Sequence, residues 1–137
     1  MAAGRLNGNH IIIQNDLFIA FMNIYTPLYG YALVAPTAHK EQVTGDFSQD
    51  EYLALQGAVY RVAEAVRRTV ESERVYILSL GSQQGNRHVH WHIAPLPHGV
   101  PFEAQQLAAL TIEGSILDIS DDEMAALASR IRRNMDG

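Results

Sequence analysis

The sequence predicts an α+β fold in which one long helix lies between the strands of a five-stranded antiparallel sheet and further helices follow the last strand. Three observations predict it. Short apolar segments cluster near the N-terminus and recur in the middle of the chain, a single long amphipathic pattern separates the two groups, and helical patterns come last. Because most strand segments follow one another directly, an antiparallel sheet is favoured over a doubly wound parallel one.

Each strand segment is apolar and is bounded by turn residues or by proline. The first two flank a polar turn at Gln14–Asp16, and we expect Pro36 and Pro95 to end the third and the fifth. In chain order, the five segments are Ile11–Ile13, Leu17–Met22, Tyr31–Ala35, Val75–Leu80 and His88–Ala94.

The long helix begins with a capping box, because Ser48 is followed three residues later by Glu51. Its apolar residues recur at helical spacing, which predicts one face packed against the sheet. These residues are Leu55, Val59, Val62 and Val66. Two shorter helices are expected near the C-terminus, at Glu103–Leu110 and Asp121–Arg133, and the latter has a second capping box at its start.

Length and composition indicate one domain that spans residues 1–137. The chain is 47% hydrophobic and 18% charged, and its formal net charge of -5 argues against a nucleic-acid scaffold, which needs a basic face. The absence of cysteine excludes disulfides, thiolate zinc sites and a cysteine nucleophile. No apolar run reaches the ~18 residues of a membrane span, and no signal peptide is visible. We therefore expect a cytoplasmic protein with no membrane partner.

Three of the six histidines alternate with apolar residues in the segment His88-Val89-His90-Trp91-His92. In a strand, this alternation places the three imidazoles on one face and turns Val89 and Trp91 toward the other, where we expect a core. Imidazole titrates near neutral pH, where proton transfer is easiest. The histidine face is therefore the candidate site.

Three interpretations of the histidine pattern compete. An exposed strand tolerates any polar residue, so exposure alone does not account for three histidines. A zinc ion held by the three alone is disfavoured, because His88 and His92 would lie ~13 Å apart on a flat strand. Catalysis by neutral imidazoles is favoured, since it uses histidines in different roles along one face. We therefore predict neither a metal nor a cofactor.

The segment His88–Ala94 resembles the signature of the histidine triad (HIT) family, in which three histidines alternate with hydrophobic residues. A second stretch is similar to the N-terminal hairpin of that family. It comprises Ile11–Ile24 with its acidic turn, Gly30–Pro36 with the sequence Leu-Val-Ala-Pro, and then His39. The resemblance covers about residues 11–97 and leaves 98–137 as a C-terminal helical extension.

The resemblance implies a nucleotide hydrolase that cleaves at the α-phosphate of a nucleoside phosphoramidate or a dinucleoside polyphosphate through a covalent nucleotidyl-histidine. It also implies a homodimer whose substrate is a nucleotide-type small molecule. Two alternatives stay open. One is a nucleotidyl transferase or phosphorylase that uses the same intermediate, and the other is a nucleotide-binding or interaction protein with little turnover.

Carried onto the matching positions, the resemblance implies that His90 is the nucleophile and that His88 orients the cluster. It implies that His92 bonds the phosphate and helps protonate the leaving group. Tyr31 stands where most members have a fourth active-site histidine. His39 is expected to support the site from just outside it.

The nucleotide contacts that the resemblance implies come from two segments. Asn23 falls where the family binds the ribose hydroxyls. Gln83 and Gln84, in the polar loop 81–86, would supply amide donors beside the histidines. The residues expected beside the nucleoside are Phe21, Met22 and Ile24.

Overall fold

The strand segments pair into one antiparallel sheet in the computed structural model, which describes residues 8–24, 26–80, 88–110 and 116–135. The strands are β1 (Ile11–Gln14), β2 (Phe18–Met22), β3 (Ala32–Pro36), β4 (Arg74–Leu78) and β5 (Trp91–Leu96). Their order across the sheet is β1-β2-β3-β5-β4, and each neighbouring pair is antiparallel. The predicted α+β class with five antiparallel strands is therefore confirmed.

Among the residues that the structure describes, three α-helices accompany the sheet: α1 (Gln49–Thr69), α2 (Leu107–Leu110) and α3 (Asp121–Asn134). The predicted capping box at the start of α1 is present, since the Ser48 hydroxyl accepts from the backbone N–H of Glu51 and the Glu51 carboxylate accepts from that of Ser48. Within the described ranges, no helix combines the length and the apolarity that a membrane span requires.

Helices α1 and α3 cover one face of the sheet and form the main core with it. The four apolar residues predicted to line α1 are buried, and Leu127 and Ile131 of α3 pack into the same cluster. Trp91 lies in this core, with its ring against Phe47 and Tyr52 at centroid distances of 6.3 and 6.4 Å. The prediction that Trp91 faces away from the histidines is confirmed, and the opposite face of the sheet is left for the site.

Strand β5 begins at Trp91, three residues later than predicted. The backbone before Trp91 forms hydrogen bonds that do not belong to the regular sheet pattern. The Val89 N–H donates to the Lys40 carbonyl at 2.8 Å, and the His90 carbonyl accepts from the Ser79 hydroxyl at 2.8 Å. The alternation nevertheless continues, since Val89 is buried while His88 and His90 are half-buried.

Pro36 ends the third strand as the sequence suggested, whereas Pro95 does not end the fifth. Pro36 is the last residue of β3, opposite Phe18, and β5 continues through Pro95 to Leu96. The register between β3 and β5 covers Trp91–Ile93 only, so Pro95 lies beyond it and pairs with β4 alone. A residue without an N–H is tolerated where one flank of the strand needs no donor.

The helix predicted at Glu103–Leu110 is broken in two. A 3₁₀ turn at Phe102–Ala104 precedes α2, and Gln106 between them has a φ of 57°. A left-handed residue interrupts the helical ladder. The N–H of Gln106 donates instead to the hydroxyl of Tyr76 at 2.9 Å, which fixes this segment to β4.

Candidate functional site

Pairing across the sheet brings residues from three strands onto the face opposite α1. Phe21 of β2 lies opposite Leu33 of β3, and Leu33 lies opposite His92 of β5. Directly opposed residues share a face in an antiparallel pair. Phe21, Leu33 and His92 therefore form a row on the histidine face, and Tyr76 is on that face too because it lies opposite Ala94.

The hydrogen bond of His90 assigns its tautomer. The ring Nδ1 lies 3.0 Å from the carbonyl oxygen of His88. A carbonyl oxygen only accepts, so Nδ1 carries the proton and Nε2 keeps its lone pair. The neutral ring of His90 therefore has its free lone pair at Nε2.

His92 has the opposite tautomer. Its Nδ1 lies 2.6 Å from the hydroxyl oxygen of Tyr31. Burial raises the pKa of Tyr31 to about 12, so the phenol keeps its proton and donates it. Burial and then the neighbouring His90 lower the pKa of His92 to about 4, so the ring is neutral and accepts at Nδ1. Nε2 of His92 therefore carries the proton.

The two rings together offer one lone pair and one N–H. The centroids of His90 and His92 are 4.9 Å apart, with a 58° angle between the planes. Attack on a phosphorus atom needs a nucleophile on one side and hydrogen-bond donors at the oxygens. Neighbouring histidines of opposite tautomer supply both without a prior proton transfer between them.

His88 connects the histidine segment to the loop after β3. Its Nε2 donates to the carbonyl of Pro36 at 2.8 Å, and its Nδ1 lies 3.4 Å from the backbone N–H of Lys40. Its ring stacks on that of His39, with centroids 5.2 Å apart. Nε2 of His39 in turn lies 2.9 Å from the carboxylate of Glu41. These contacts hold the His88 ring between the histidine segment and the loop after β3.

The predicted nucleotide-binding residues do not all reach the histidine face. Phe21 is on that face, and the N–H of Asn23 bonds the carbonyl of Tyr31 at 2.9 Å, which places Asn23 beside the site. Ile24 follows and is 43% exposed. Met22, in contrast, packs in the core on the α1 side.

The position of Met22 corrects the sequence-based expectation that it lies beside the nucleoside. Successive residues of a strand point to opposite faces, so Phe21 and Met22 cannot both face the histidines. The alternation was present in the sequence and could have separated them. Gln83 and Gln84 lie outside the described residues, so the structure does not place them.

Two polar residues at the site carried no signal in the sequence. Ser79 fixes the backbone of His90 through its hydroxyl, and Glu41 pairs with His39. Both positions depend on loops that the pattern of apolar residues does not define. Among the residues that the structure describes, no three His, Asp or Glu side chains are grouped so as to hold a metal ion.

A small apolar cluster contains Tyr31 and lies beside His92, to which the Tyr31 hydroxyl bonds. Leu28, Tyr31 and Ala94 form its centre, and the residues packed against them are Leu33, Tyr76 and Leu110. Leu110 comes from α2, so the C-terminal segment contributes to the wall beside His92. Burial on this side of the sheet is the main cause that lowers the pKa of His92.

The depressed pKa of His92 predicts a loss of stability in acid. The unfolded chain takes up a proton near pH 6.5, whereas the folded chain resists it until about pH 4. Stability from this group is therefore full above pH 6.5 and falls as the pH drops toward 4. Since the side chain is only half-buried, we expect a decrease on the order of 2 kcal/mol.

Urea unfolding at pH 7.5 and pH 4.5 measures this decrease. His92→Gln removes the titrating group and should reduce the difference between the two pH values, whereas His98→Gln, at an exposed histidine, should leave it unchanged. Equal pH dependence in the wild type and His92→Gln would contradict the assignment.

Comparison with known proteins matches the chain to one family. Residues 5–99 match the family model of the HIT domain. An uncharacterized HIT-like protein from Saccharolobus solfataricus is 32% identical over 95 residues, which is 67% of this chain and 67% of that protein.

Two solved structures have the same fold. A Hit-like protein involved in cell-cycle regulation from Bartonella henselae superposes with a TM-score of 0.73 at 23% identity, over 91% of this chain and 85% of the other. A hypothetical histidine triad nucleotide-binding protein from Sulfolobus tokodaii strain7 gives a TM-score of 0.71 at 21% identity, over 93% and 83%.

Proposed function

Because the chain belongs to the HIT domain family, we propose that it is a nucleotide hydrolase that cleaves its substrate at the α-phosphate through a covalent nucleotidyl-histidine at His90. One observation carries the proposal. The hydrogen bonds leave a lone pair on Nε2 of His90 and a proton on Nε2 of the adjacent His92. The neighbour from Sulfolobus tokodaii is a hypothetical nucleotide-binding protein, which supports a nucleotide as the ligand.

In the first step, the lone pair on Nε2 of His90 forms a bond to the α-phosphorus as the bond to the leaving group breaks. The leaving group departs with the electron pair of that bond. The proton stays on Nδ1 of His90 and is donated in a hydrogen bond to the carbonyl oxygen of His88, which stabilises the cationic ring of the intermediate. His92 donates from Nε2 to a phosphate oxygen, where negative charge is concentrated.

In the second step, water attacks the phosphorus and the bond to His90 breaks. The electron pair returns to Nε2, which restores the neutral ring with its proton still on Nδ1. The proton of the water leaves with the nucleoside monophosphate or passes to solvent. The hydrolysis therefore ends with both histidines in their starting tautomers.

The substrate contacts in this proposal follow the geometry of the face. Asn23 would bond the ribose hydroxyls, and Phe21 and Ile24 would contact the nucleoside. Gln83 and Gln84 would donate to the phosphates from their loop. His88 and His39 would hold the segment around His90 without contacting substrate.

A panel of substrates tests the proposed activity. Purified protein is incubated with adenosine and guanosine phosphoramidates, dinucleoside polyphosphates and nucleotide sugars, and thermal shift is measured on the same panel. Release of a nucleoside monophosphate supports the hydrolase. Thermal stabilisation without turnover would favour the second candidate, a nucleotide-binding protein, for which the replacement of the fourth family histidine by Tyr31 is the specific argument.

The edge of the sheet supports a homodimer. β4 is the last strand on one side, and its Ile77 is 49% exposed, while Tyr60 on α1 is 66% exposed. An edge strand with apolar residues is a template for pairing with another chain. We expect light scattering at micromolar concentration to give about twice the chain mass of 15.2 kDa.

A matched pair of variants locates this interface. Ile77→Lys places a charge on the edge and should yield monomers, whereas Phe102→Lys changes an exposed apolar residue elsewhere and should not. A monomeric wild type, or a dimer that survives Ile77→Lys and dissociates with Phe102→Lys, would contradict the proposed interface.

A further inference from the structure

Tyr31 is held in place by the loop that precedes β3. The residue before it, Gly30, has a φ of +89°, and a Cβ there would come within 2.7 Å of a Val70 methyl group and 3.3 Å of the Pro95 ring. Only glycine fits both the conformation and the space. Gly30 therefore lets the loop pass close to Val70 and Pro95, and Tyr31, the next residue, lies in the sheet face with 5% of its surface exposed.

The Tyr31 hydroxyl has a short contact with one catalytic residue. It lies 2.6 Å from Nδ1 of His92, with the rings edge to face at 83° and centroids 5.6 Å apart. A buried phenol beside a half-buried neutral imidazole has one arrangement that satisfies both, in which O–H donates to Nδ1. His92 is then a donor at Nε2 and has no vacant acceptor.

The surroundings of His92 do not favour an imidazolium. β3 contributes Leu33 and the loop before it Tyr31, β4 contributes Tyr76, and α2 contributes Leu110 to the same apolar cluster. The other titratable ring beside His92 is His90, which lowers rather than raises its pKa. Within the described part of the chain, nothing in this cluster is a carboxylate that would stabilise a cation.

A neutral His92 acts as a hydrogen-bond donor but is a weak acid, and leaving groups differ in how much acid they need. A phosphate released from an anhydride departs as a stable anion, without a proton. An amine released from a P–N bond must be protonated on nitrogen first, because the amide anion is a very strong base. A site without an imidazolium therefore favours the anhydride.

We propose that Tyr31 is a specificity-determining positioning residue, which holds His92 as a neutral donor and thereby directs the site to phosphoanhydride substrates rather than phosphoramidates. The inference rests on the proposed hydrolase function. The inference specifies which bond of the substrate breaks. It also restricts His92, which the family resemblance implies helps to protonate the leaving group, to hydrogen-bond donation.

Two substrates that share the transferred nucleotide test the proposal. Adenosine 5′-phosphoramidate and diadenosine tetraphosphate both give adenylyl-His90 and differ in the leaving group. We expect wild-type kcat/KM at pH 7.5 to be about 10²-fold higher for the anhydride, the lower end of what general acid catalysis contributes. Tyr31→His should reduce this ratio at least about tenfold, with phosphoramidate turnover rising as the pH falls from 8 to 6.

The control is Tyr29→Phe, which removes a hydroxyl from the same loop at a residue packed against the main core. It should leave the ratio unchanged. Two results would overturn the proposal. One is a wild type that cleaves both substrates at similar kcat/KM, and the other is a Tyr31→His variant that slows both by the same factor with an unaltered pH profile.

Long-range ¹H–¹⁵N NMR of the histidine rings separates failure of this proposal from failure of the proposed function. In the wild type, His92 should show the Nε2–H tautomer and no titration between pH 8 and 5, and in Tyr31→Phe it should lose that tautomer or begin to titrate. If wild-type His92 titrates in this range or carries its proton on Nδ1, or if Tyr31→Phe leaves the His92 signals unchanged, the proposed role of Tyr31 is wrong. This conclusion does not depend on the measured activity. If the spectra are as expected and neither substrate is cleaved, the hydrolase function fails and the leaving-group preference fails with it.

Discussion

Replacement of His90 by alanine is expected to abolish turnover, with kcat falling by at least about 10⁴-fold. The covalent route needs the lone pair on Nε2, which the bond from Nδ1 to the His88 carbonyl leaves in place, and the adjacent His92 presents a proton there instead of a lone pair. Binding of a mononucleotide should survive, because alanine enlarges the phosphate site while Phe21 and Asn23, the proposed contacts to the nucleoside and the ribose, stay in place. Steady-state kinetics and calorimetric titration with AMP measure the two effects.

The variant His90→Gly provides a second measurement that does not depend on retained activity. Free imidazole can occupy the space of the missing side chain, accept the nucleotidyl group and restore part of the turnover. His98→Ala, at an exposed histidine outside the site, is the matched control and should behave as the wild type. More than a few per cent of wild-type activity in His90→Ala would show that His90 is not the nucleophile.

His92→Ala is expected to lower kcat/KM by about 10²- to 10³-fold, as is typical when a donor to a developing charge is removed. His90 keeps its own hydrogen bond to the His88 carbonyl, so the intermediate should still form, more slowly. Loss of the His92 ring, whose centroid lies 4.9 Å from that of His90, should therefore slow nucleotidyl transfer without preventing it.

Rapid-quench kinetics separates this effect from a change in binding. We expect the rate of the first step to fall while the dissociation constant for AMP changes little, and His98→Ala should change neither. An unchanged first step in His92→Ala would contradict a role for His92 at the phosphate.

Much of the fold could be predicted because it follows from local patterns. The alternation in the histidine segment and the capping box at Ser48 depend on neighbouring residues alone. The end of β5 was harder to predict. Pro95 is tolerated within the strand because it lies beyond the residues of β5 that pair with β3, and it pairs with β4 alone. The break at Gln106 depends on the distant hydroxyl of Tyr76.

The site shows the same division between local and long-range information. The sequence places His88, His90 and His92 on one face, but the tautomers depend on a carbonyl and on Tyr31, which is 61 residues from His92. Met22 follows Phe21 directly in β2 and therefore points to the opposite face, into the core, although the family resemblance implies that both lie beside the nucleoside.

Direct detection of the nucleotidyl-enzyme tests the central claim. Wild-type protein is mixed with a nucleotide substrate, quenched in alkali, where a phosphorus–nitrogen bond to histidine survives, and analysed by intact and peptide mass spectrometry. The proposal predicts the addition of one nucleotidyl group to the chain, on His90, and none in His90→Ala. Turnover without any covalent adduct, or an adduct on His88 or His92, would contradict it.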